Sequence, residues 1–417
     1  MRVELINTGS ELLLGHVLNT HQQWICRELN NHGWDVARQV TVADAGPAIE
    51  DAVREGLSRA DLVITTGGLG PTTDDITRDR IAALLGSELR EDASVRSHIG
   101  AFFKRNQRLM PESVLVQALV PEGAQILPNA HGTAPGLFFE LCPNPFDDGQ
   151  GPGWLIMLPG PPRELRPMFI DQVLPILRDK CPPPTRMITR TLRAAGIGES
   201  MVEEKIRGLL WPLVEAGLKI GYCARSGEVD IRLRAADASL IEQAEDTIRG
   251  AIGQNIFGVD DEKLEQNIIR LLTDRKETLV VAESCTGGYL ANRLTNVPGV
   301  SAVFLAGFVT YSNEAKQIAL GVKDETLAVH GAVSEVAACE MAEGTRNRHG
   351  ATYALATTGI AGPGGGTPEK PVGTVHIALA TPDGTHTINP CNTADRETFK
   401  FVTSQQALDL LRKKLGE

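Results

Sequence analysis

Short aliphatic runs that break at a glycine or polar turn and hand over to a helical stripe constrain this chain more than any other feature. Residues 2–8 read as a strand ended by Gly9, residues 20–32 as a helix stopped by Gly33, and residues 34–42 as a second strand. Ile49, Val53 and Leu57 then sit at i, i+4 and i+8, the stripe of a helix lying on a sheet. Residues 61–66 form the next strand and residues 76–85 the next helix. Strands alternating with helices at this rhythm predict a doubly wound α/β domain with a parallel sheet.

Ligands of such sheets bind outside the carboxyl ends of strands. Two stretches fall there: Thr8-Gly9-Ser10-Glu11, and Thr66-Gly67-Gly68-Leu69-Gly70-Pro71-Thr72 followed by Thr73-Asp74-Asp75. Gly67, Gly68 and Gly70 let successive backbone N–H groups converge on a phosphate. The stretch has neither the full dinucleotide fingerprint nor a Walker lysine. Asp74 and Asp75 beside a phosphate call for a magnesium-like ion. Equally, Asp75 can cap the helix opening at Ile76 while Asp74 faces water.

Residues 86–128 read as a helical, lid-like insertion, and Cys142–Gly153 as an exposed loop. Pro182, Pro183 and Pro184 make a stiff linker. Beyond it, two strands and a helix follow a strand–helix pair, a small α+β unit with no catalytic pattern, suited to a spacer or dimer surface. The expected domains are 1–180, 185–260 and 261–417.

The third domain carries Leu279-Val280-Val281-Ala282-Glu283-Ser284-Cys285-Thr286-Gly287-Gly288, a buried strand breaking into a helix start. Such an elbow lifts a hydroxyl or thiol toward helix amides that favour developing negative charge, a setting for acyl transfer. A Ser or Thr helix cap gives the same pattern. No histidine lies near in sequence. Tyr311 and Lys316, in Gly307-Phe308-Val309-Thr310-Tyr311-Ser312-Asn313-Glu314-Ala315-Lys316, offer a proton relay and a base neutralised by burial. As alternatives, Lys316 is a solvated helix residue and Tyr311 a core edge. The glycines from Gly359 to Gly366 suit close ligand approach or a hairpin-like connection. Arg396 suits a phosphate or plain solvent.

Composition narrows the function classes. A net charge of -11 argues against a general nucleic-acid binder. No apolar run reaches membrane-spanning length, and no signal peptide opens the chain. Seven scattered cysteines without C-x-x-C spacing fit a reducing cytoplasm.

Ala282-Glu283-Ser284-Cys285-Thr286-Gly287-Gly288, Gly307 to Lys316, His330-Gly331-Ala332-Val333-Ser334 and Thr358-Gly359-Ile360-Ala361-Gly362-Pro363 together resemble the C-terminal domain of the CinA family. Thr8-Gly9-Ser10-Glu11, Thr66 to Thr72 and Leu158-Pro159-Gly160-Pro161-Pro162 resemble that family's molybdopterin-binding-like N-terminal domain. The resemblance covers nearly the whole chain. It implies a nicotinamide-nucleotide amidohydrolase that converts nicotinamide mononucleotide to nicotinate mononucleotide and ammonia, needing no cofactor. In some members of that family the N-terminal domain hydrolyses ADP-ribose with a divalent metal, so here it is expected to be either a second, metal-dependent hydrolase or regulatory; a homodimer is expected as well.

On the same resemblance Ser284 is the nucleophile and Tyr311 and Lys316 its activating partners. Glu283, Cys285, Thr286, Gly287, Asn313, Thr358, Gly359 and Arg396 line the nucleotide site. Gly9, Glu11, Gly67, Gly68, Gly70 and Thr72 line the N-terminal site, with Asp74 and Asp75 on the metal. Cys285 is the rival nucleophile, since a thiol at a helix N-terminus is activated. Ala394-Asp395-Arg396 stands where the family usually has Gly-Asp-Arg, Lys400 where it has arginine, and Asn19-Thr20-His21 where it has Asn-Thr-Asn. A different class of function, a pterin- or nucleotide-binding regulator with an inactive C-terminal domain, stays open; intact Ser284, Tyr311 and Lys316 favour the amidohydrolase, and loss of any one would have favoured the regulator.

Overall fold

A computed structural model describes residues 1–147, 151–183 and 187–416. The chain divides into two compact units, Met1–Met187 and Ile188–Glu417, each treated by itself. Pro184 of the expected linker, Arg186 of the expected strand and part of the Cys142–Gly153 loop lie outside the described residues.

In the first unit, β1 (Val3–Thr8), β2 (Val36–Val42), β3 (Leu62–Thr66), β7 (Gly136–Leu141), β8 (Gly153–Leu158) and β6 (Gln125–Leu127) form one sheet in the order β2-β1-β3-β8-β7-β6. The strands β2, β1, β3 and β8 run parallel, and β7 and β6 join antiparallel. The sheet is therefore mixed, with the parallel half as expected. β1 and β3 are buried along their whole length because helices cover both faces. Helix Gly46–Leu57 packs Ile49, Val53 and Leu57 on one side, while Ile25 and Leu29 of helix Thr20–Asn31 pack on the other. The 86–128 stretch corrects a purely helical expectation. Besides helix Ala93–Arg105 it holds β4 (Leu89–Glu91), β5 (Leu119–Pro121) and β6, each only three residues long and so without a readable period.

The second unit opens with an antiparallel sheet, β10-β11-β9-β12, built from β9 (Ile188–Ala195), β10 (Lys219–Arg225), β11 (Glu228–Ala235) and β12 (Ile256–Val259). Helices Glu199–Glu215 and Ala238–Ile252 bury Val202, Ile206, Leu210, Ile241 and Ile248 against it. A five-stranded sheet follows, ordered β14-β13-β15-β16-β17: β13 (Leu279–Glu283), β14 (Phe304–Val309), β15 (Tyr353–Gly359), β16 (Val375–Thr381) and β17 (Gly384–Ile388).

The two faces of that sheet differ in side-chain size. Leu279, Val281, Leu355, Ile377 and Leu379 meet helices Leu264–Arg275, Tyr289–Thr295 and Arg396–Gly416. Ala282, Ala354, Ala356, Ala378 and Ala380 meet helix Glu335–His349. The alanine face lets that helix come close. A Cβ on its Gly344 would lie 1.8 Å from the Leu320 carbonyl oxygen, so a side chain there has no room. Leu320 ends a single π-helical turn that starts at Lys316. Among the described residues no helix is long and apolar enough to cross a membrane.

Candidate active site

β14, β13 and β15 run parallel, and their carboxyl ends bring Thr310–Tyr311, Ser284 and Thr358–Gly359 to one edge of the sheet. The ladder extends past the strand ends, with Ser284 N–H donating to the Thr357 carbonyl and Thr310 N–H to the Glu283 carbonyl, both at 2.9 Å. The elbow itself needs left-handed backbone at Gly287 (φ 60°) and Gly288 (φ 92°), which glycine adopts without strain.

Glu283 explains why the chain turns there. Its carboxylate is 0% exposed and accepts backbone N–H groups from Gly288 (3.0 Å), Leu290 (3.0 Å) and Ala291 (2.8 Å). It thus fills the helix N-terminus that sequence reasoning reserved for substrate charge, and it faces the helix rather than the cleft. Glu283→Gln puts an amide NH₂ against those N–H donors. The expected loss is about 3 kcal/mol of unfolding free energy, read by denaturant titration.

Lys316 begins the π-helical turn after the short helix Asn313–Ala315, whose first amides are capped by Ser312 Oγ at 3.1 Å. Its side chain is 1% exposed. The amine reaches Ser284 Oγ at 3.0 Å, the Thr310 carbonyl at 2.8 Å and the Tyr311 carbonyl at 3.3 Å. Burial lowers its pKa from the ordinary lysine value, with a smaller opposing contribution from neighbouring Cys285. The three partners all accept from the amine; once deprotonated, it keeps two N–H bonds on the carbonyls and can turn its lone pair to the Ser284 O–H.

Cys285 is differently placed. It is 7% exposed within the apolar core, and burial pushes its thiol up to about 12. The expected activation at a helix N-terminus is overturned, because desolvation outweighs it and Glu283 already holds the helix amides. Thr286 and Thr358 also face protein, Thr286 Oγ1 on Thr357 Oγ1 (2.8 Å) and Thr358 Oγ1 on the Ala332 carbonyl (2.8 Å). Gly359 lets its loop pack tightly, since a Cβ there would meet the Thr374 carbonyl oxygen at 2.6 Å.

Tyr311 does not stand as the expected proton relay to Ser284: it contributes only its carbonyl to Lys316, while the residue is 62% exposed and its hydroxyl accepts from Arg396 Nη2 at 2.7 Å. Arg396 also donates to the Gly362 carbonyl at 2.8 Å. Lys400, one turn along the same helix, lies 5.8 Å from the Tyr289 ring centre and close to Gly287. Asn313 and Gly287 are exposed beside them. Sequence reasoning did not include the Thr310 carbonyl or the capping role of Glu283. A main-chain acceptor has no residue signature, and an acidic residue at a strand end has several uses.

In the first unit, Gly70, Asp75, Gln117, Thr133 and Glu164 line a cleft of about 280 Å³. Gly67, Gly68 and Gly70 lie tight against protein: added Cβ atoms would meet the Thr8 carbonyl oxygen at 2.7 Å, Thr77 Oγ1 at 2.0 Å and Asp75 Oδ2 at 2.3 Å. Asp75 does not cap the following helix. Its carboxylate accepts the Thr72 N–H at 3.0 Å and the Thr72 hydroxyl, closing the turn. Gly9 and Glu11 sit at the end of β1, with Glu11 and Asp74 exposed. No cluster of three acidic, histidine or cysteine side chains suited to a metal occurs among the described residues.

The CinA C-terminal domain family profile matches residues 261–415, the probable molybdopterin binding domain profile residues 4–179, and the damage-inducible protein CinA KH domain profile residues 189–258. A relative from Caldicellulosiruptor bescii is 43% identical over 421 residues, spanning 100% of this chain and 99% of its own. A CinA-like protein of Akkermansia muciniphila is 44% identical over 409 residues, covering 98% of this chain and 96% of its own. Among solved structures, competence/damage inducible protein CihA from Agrobacterium tumefaciens is 44% identical, with a TM-score of 0.36 over 37% of this chain and 94% of its own.

Proposed function

The chain belongs to the CinA family, and from that premise we propose that its second unit hydrolyses the amide of nicotinamide mononucleotide through Ser284. The observation that carries this reading is the buried Lys316 amine 3.0 Å from Ser284 Oγ. Lys316 takes the Ser284 proton as the Oγ–carbon bond forms at the amide carbon. Turn amides upstream of Gly288 meet the oxyanion, since Glu283 occupies those beyond. Lys316 returns the proton to the leaving nitrogen, the carbon–nitrogen bond breaks, and ammonia departs. Water then attacks the acyl-serine, losing its proton to Lys316, which passes it to Ser284 Oγ as the carbon–Oγ bond breaks, and nicotinate mononucleotide leaves. Arg396 and Tyr311, joined at 2.7 Å on the exposed side, receive the phosphate.

The test is ammonia release from nicotinamide mononucleotide by the purified protein without added metal. Cys285→Ala is expected to retain the activity, and iodoacetamide at neutral pH to leave it intact, because a thiol held near pKa 12 is not a thiolate. Loss of turnover in Cys285→Ala with retention in Ser284→Ala would reverse the assignment. For the first unit we propose metal-dependent hydrolysis of ADP-ribose, supported by the cleft that Gly70, Asp75 and Glu164 line. The check is phosphate-ester product formation from ADP-ribose with magnesium, which Asp75→Asn should weaken.

A further inference from the structure

The helix Arg396–Gly416 joins the Ser284 cleft to the antiparallel sheet of residues 188–259. Its first turn holds Arg396 against Tyr311 and Gly362, and its second holds Lys400 beside the elbow. One turn on, Ser404 Oγ and Gln405 Oε1 accept from the Arg293 guanidinium at 2.9 and 2.6 Å, with the Phe401 ring beneath it at 5.1 Å. Arg293 is 7% exposed, pairs with Glu265 at 2.8 Å, and belongs to helix Tyr289–Thr295, the one Glu283 caps after Ser284. The two helices flanking the elbow are therefore fastened to each other at a buried cation.

The polar chain continues into the neighbouring sheet. Gln405 Nε2 donates to Glu228 Oε1 at 2.8 Å, and Glu228 Oε2 accepts from Arg193 Nη2 at 2.5 Å. Glu228 opens β11 directly after the hairpin turn at Gly227, where a Cβ would already press on Gln405 Cγ at 3.2 Å. Further along the helix, Arg412 donates to the carbonyls of Gln254 and Ile256 at 2.6 and 3.4 Å. An apolar seam of equal volume would be as stable or more so. The polar one adds direction, because Leu-type packing slides whereas the Gln405 amide serves Arg293 with its oxygen and Glu228 with its nitrogen in one orientation only.

We propose that Arg293–Gln405–Glu228 is a positioning joint through which the 188–259 sheet holds the anion-binding end of the last helix in register with the Ser284 elbow. The inference rests on the amidase reading. Gln405 touches no substrate. It lies nine residues from Arg396 on one unbroken helix, roughly 13 Å along a rod that transmits a shift rather than absorbing it. The substrate phosphate and the amide carbon are thereby referred to one frame.

Gln405→Met fills the space and removes both polar contacts. The expected result is a rise of about tenfold in KM for nicotinamide mononucleotide with kcat within about twofold of wild type. Glu228→Gln keeps an acceptor for Gln405 Nε2 and should leave KM near wild type. Since the joint acts through the phosphate end, Gln405→Met should add little to the KM of Arg396→Ala. Full additivity, or an unchanged KM in an active Gln405→Met, overturns the joint and leaves the amidase reading standing. A wild type that releases no ammonia overturns both. If Gln405→Met does not fold, Gln405→Asn, an amide too short to bridge both partners, is read in the same way.

Discussion

Ser284→Ala will abolish ammonia release from nicotinamide mononucleotide, with kcat falling by at least about 10³-fold, while substrate affinity and thermal stability stay near those of the parent. Ser284 sits at a half-buried turn whose backbone bonds run through its N–H and carbonyl rather than its hydroxyl, so the fold does not depend on Oγ. In the proposed mechanism, removing Oγ takes away the atom that would bond to the amide carbon, and no neighbour replaces it. Cys285 is next in sequence, but its sulfur lies in the core and its thiol is held near pKa 12. The measurement is single-turnover and steady-state ammonia release, alongside nucleotide binding by calorimetry. Binding retained with chemistry lost assigns Ser284 to the bond-making step. Chemistry retained would remove the acyl-serine from the mechanism.

Lys316→Met should cost a comparable factor, about 10³-fold or more in kcat, because it removes both the proton acceptor for Ser284 and the donor for leaving ammonia. Lys316→Arg should be no better. A guanidinium stays charged across the accessible pH range and offers no lone pair. The wild type carries its own diagnostic in the pH profile. Burial lowers the Lys316 pKa, so the amine is protonated and inactive below that folded value and neutral above it. Activity should therefore rise with pH through a single ionisation centred below the ordinary lysine value of 10.5 and then level off. An activity that declined with rising pH across that range would argue against a neutral lysine base. The limb should vanish in the residual rate of Lys316→Met.

The parallel half of the first sheet and its covering helices were legible because Ile49, Val53 and Leu57 keep a helical period and β1 and β3 carry short aliphatic stretches, Leu5-Ile6 and Leu62-Val63-Ile64, that end at Gly9 and Gly67. The elbow was legible for the same reason: Leu279 to Ala282 must be buried, and two glycines follow. The insertion at 86–128 was not, since its three-residue strands take their character from their pairing partners rather than from their own pattern. Lys316 could be nominated from sequence only as one of two readings. Whether a lysine is solvated or buried depends on the tertiary fold around it, and here the amine is turned inward onto Ser284 Oγ and the Thr310 and Tyr311 carbonyls with 1% of the residue exposed.

The residue types and the order of strand, turn and helix thus determined which side chains could do chemistry: a serine at an elbow, a lysine after the next strand, an arginine opening the last helix. Tertiary structure decided their states. It placed Lys316 where water cannot stabilise its charge, sank Cys285 into the core, turned Glu283 onto the helix amides and gave the Tyr311 hydroxyl to Arg396. Burial and hydrogen-bond partners come from segments distant in sequence, so the electrostatic character of each group is a property of the assembled fold.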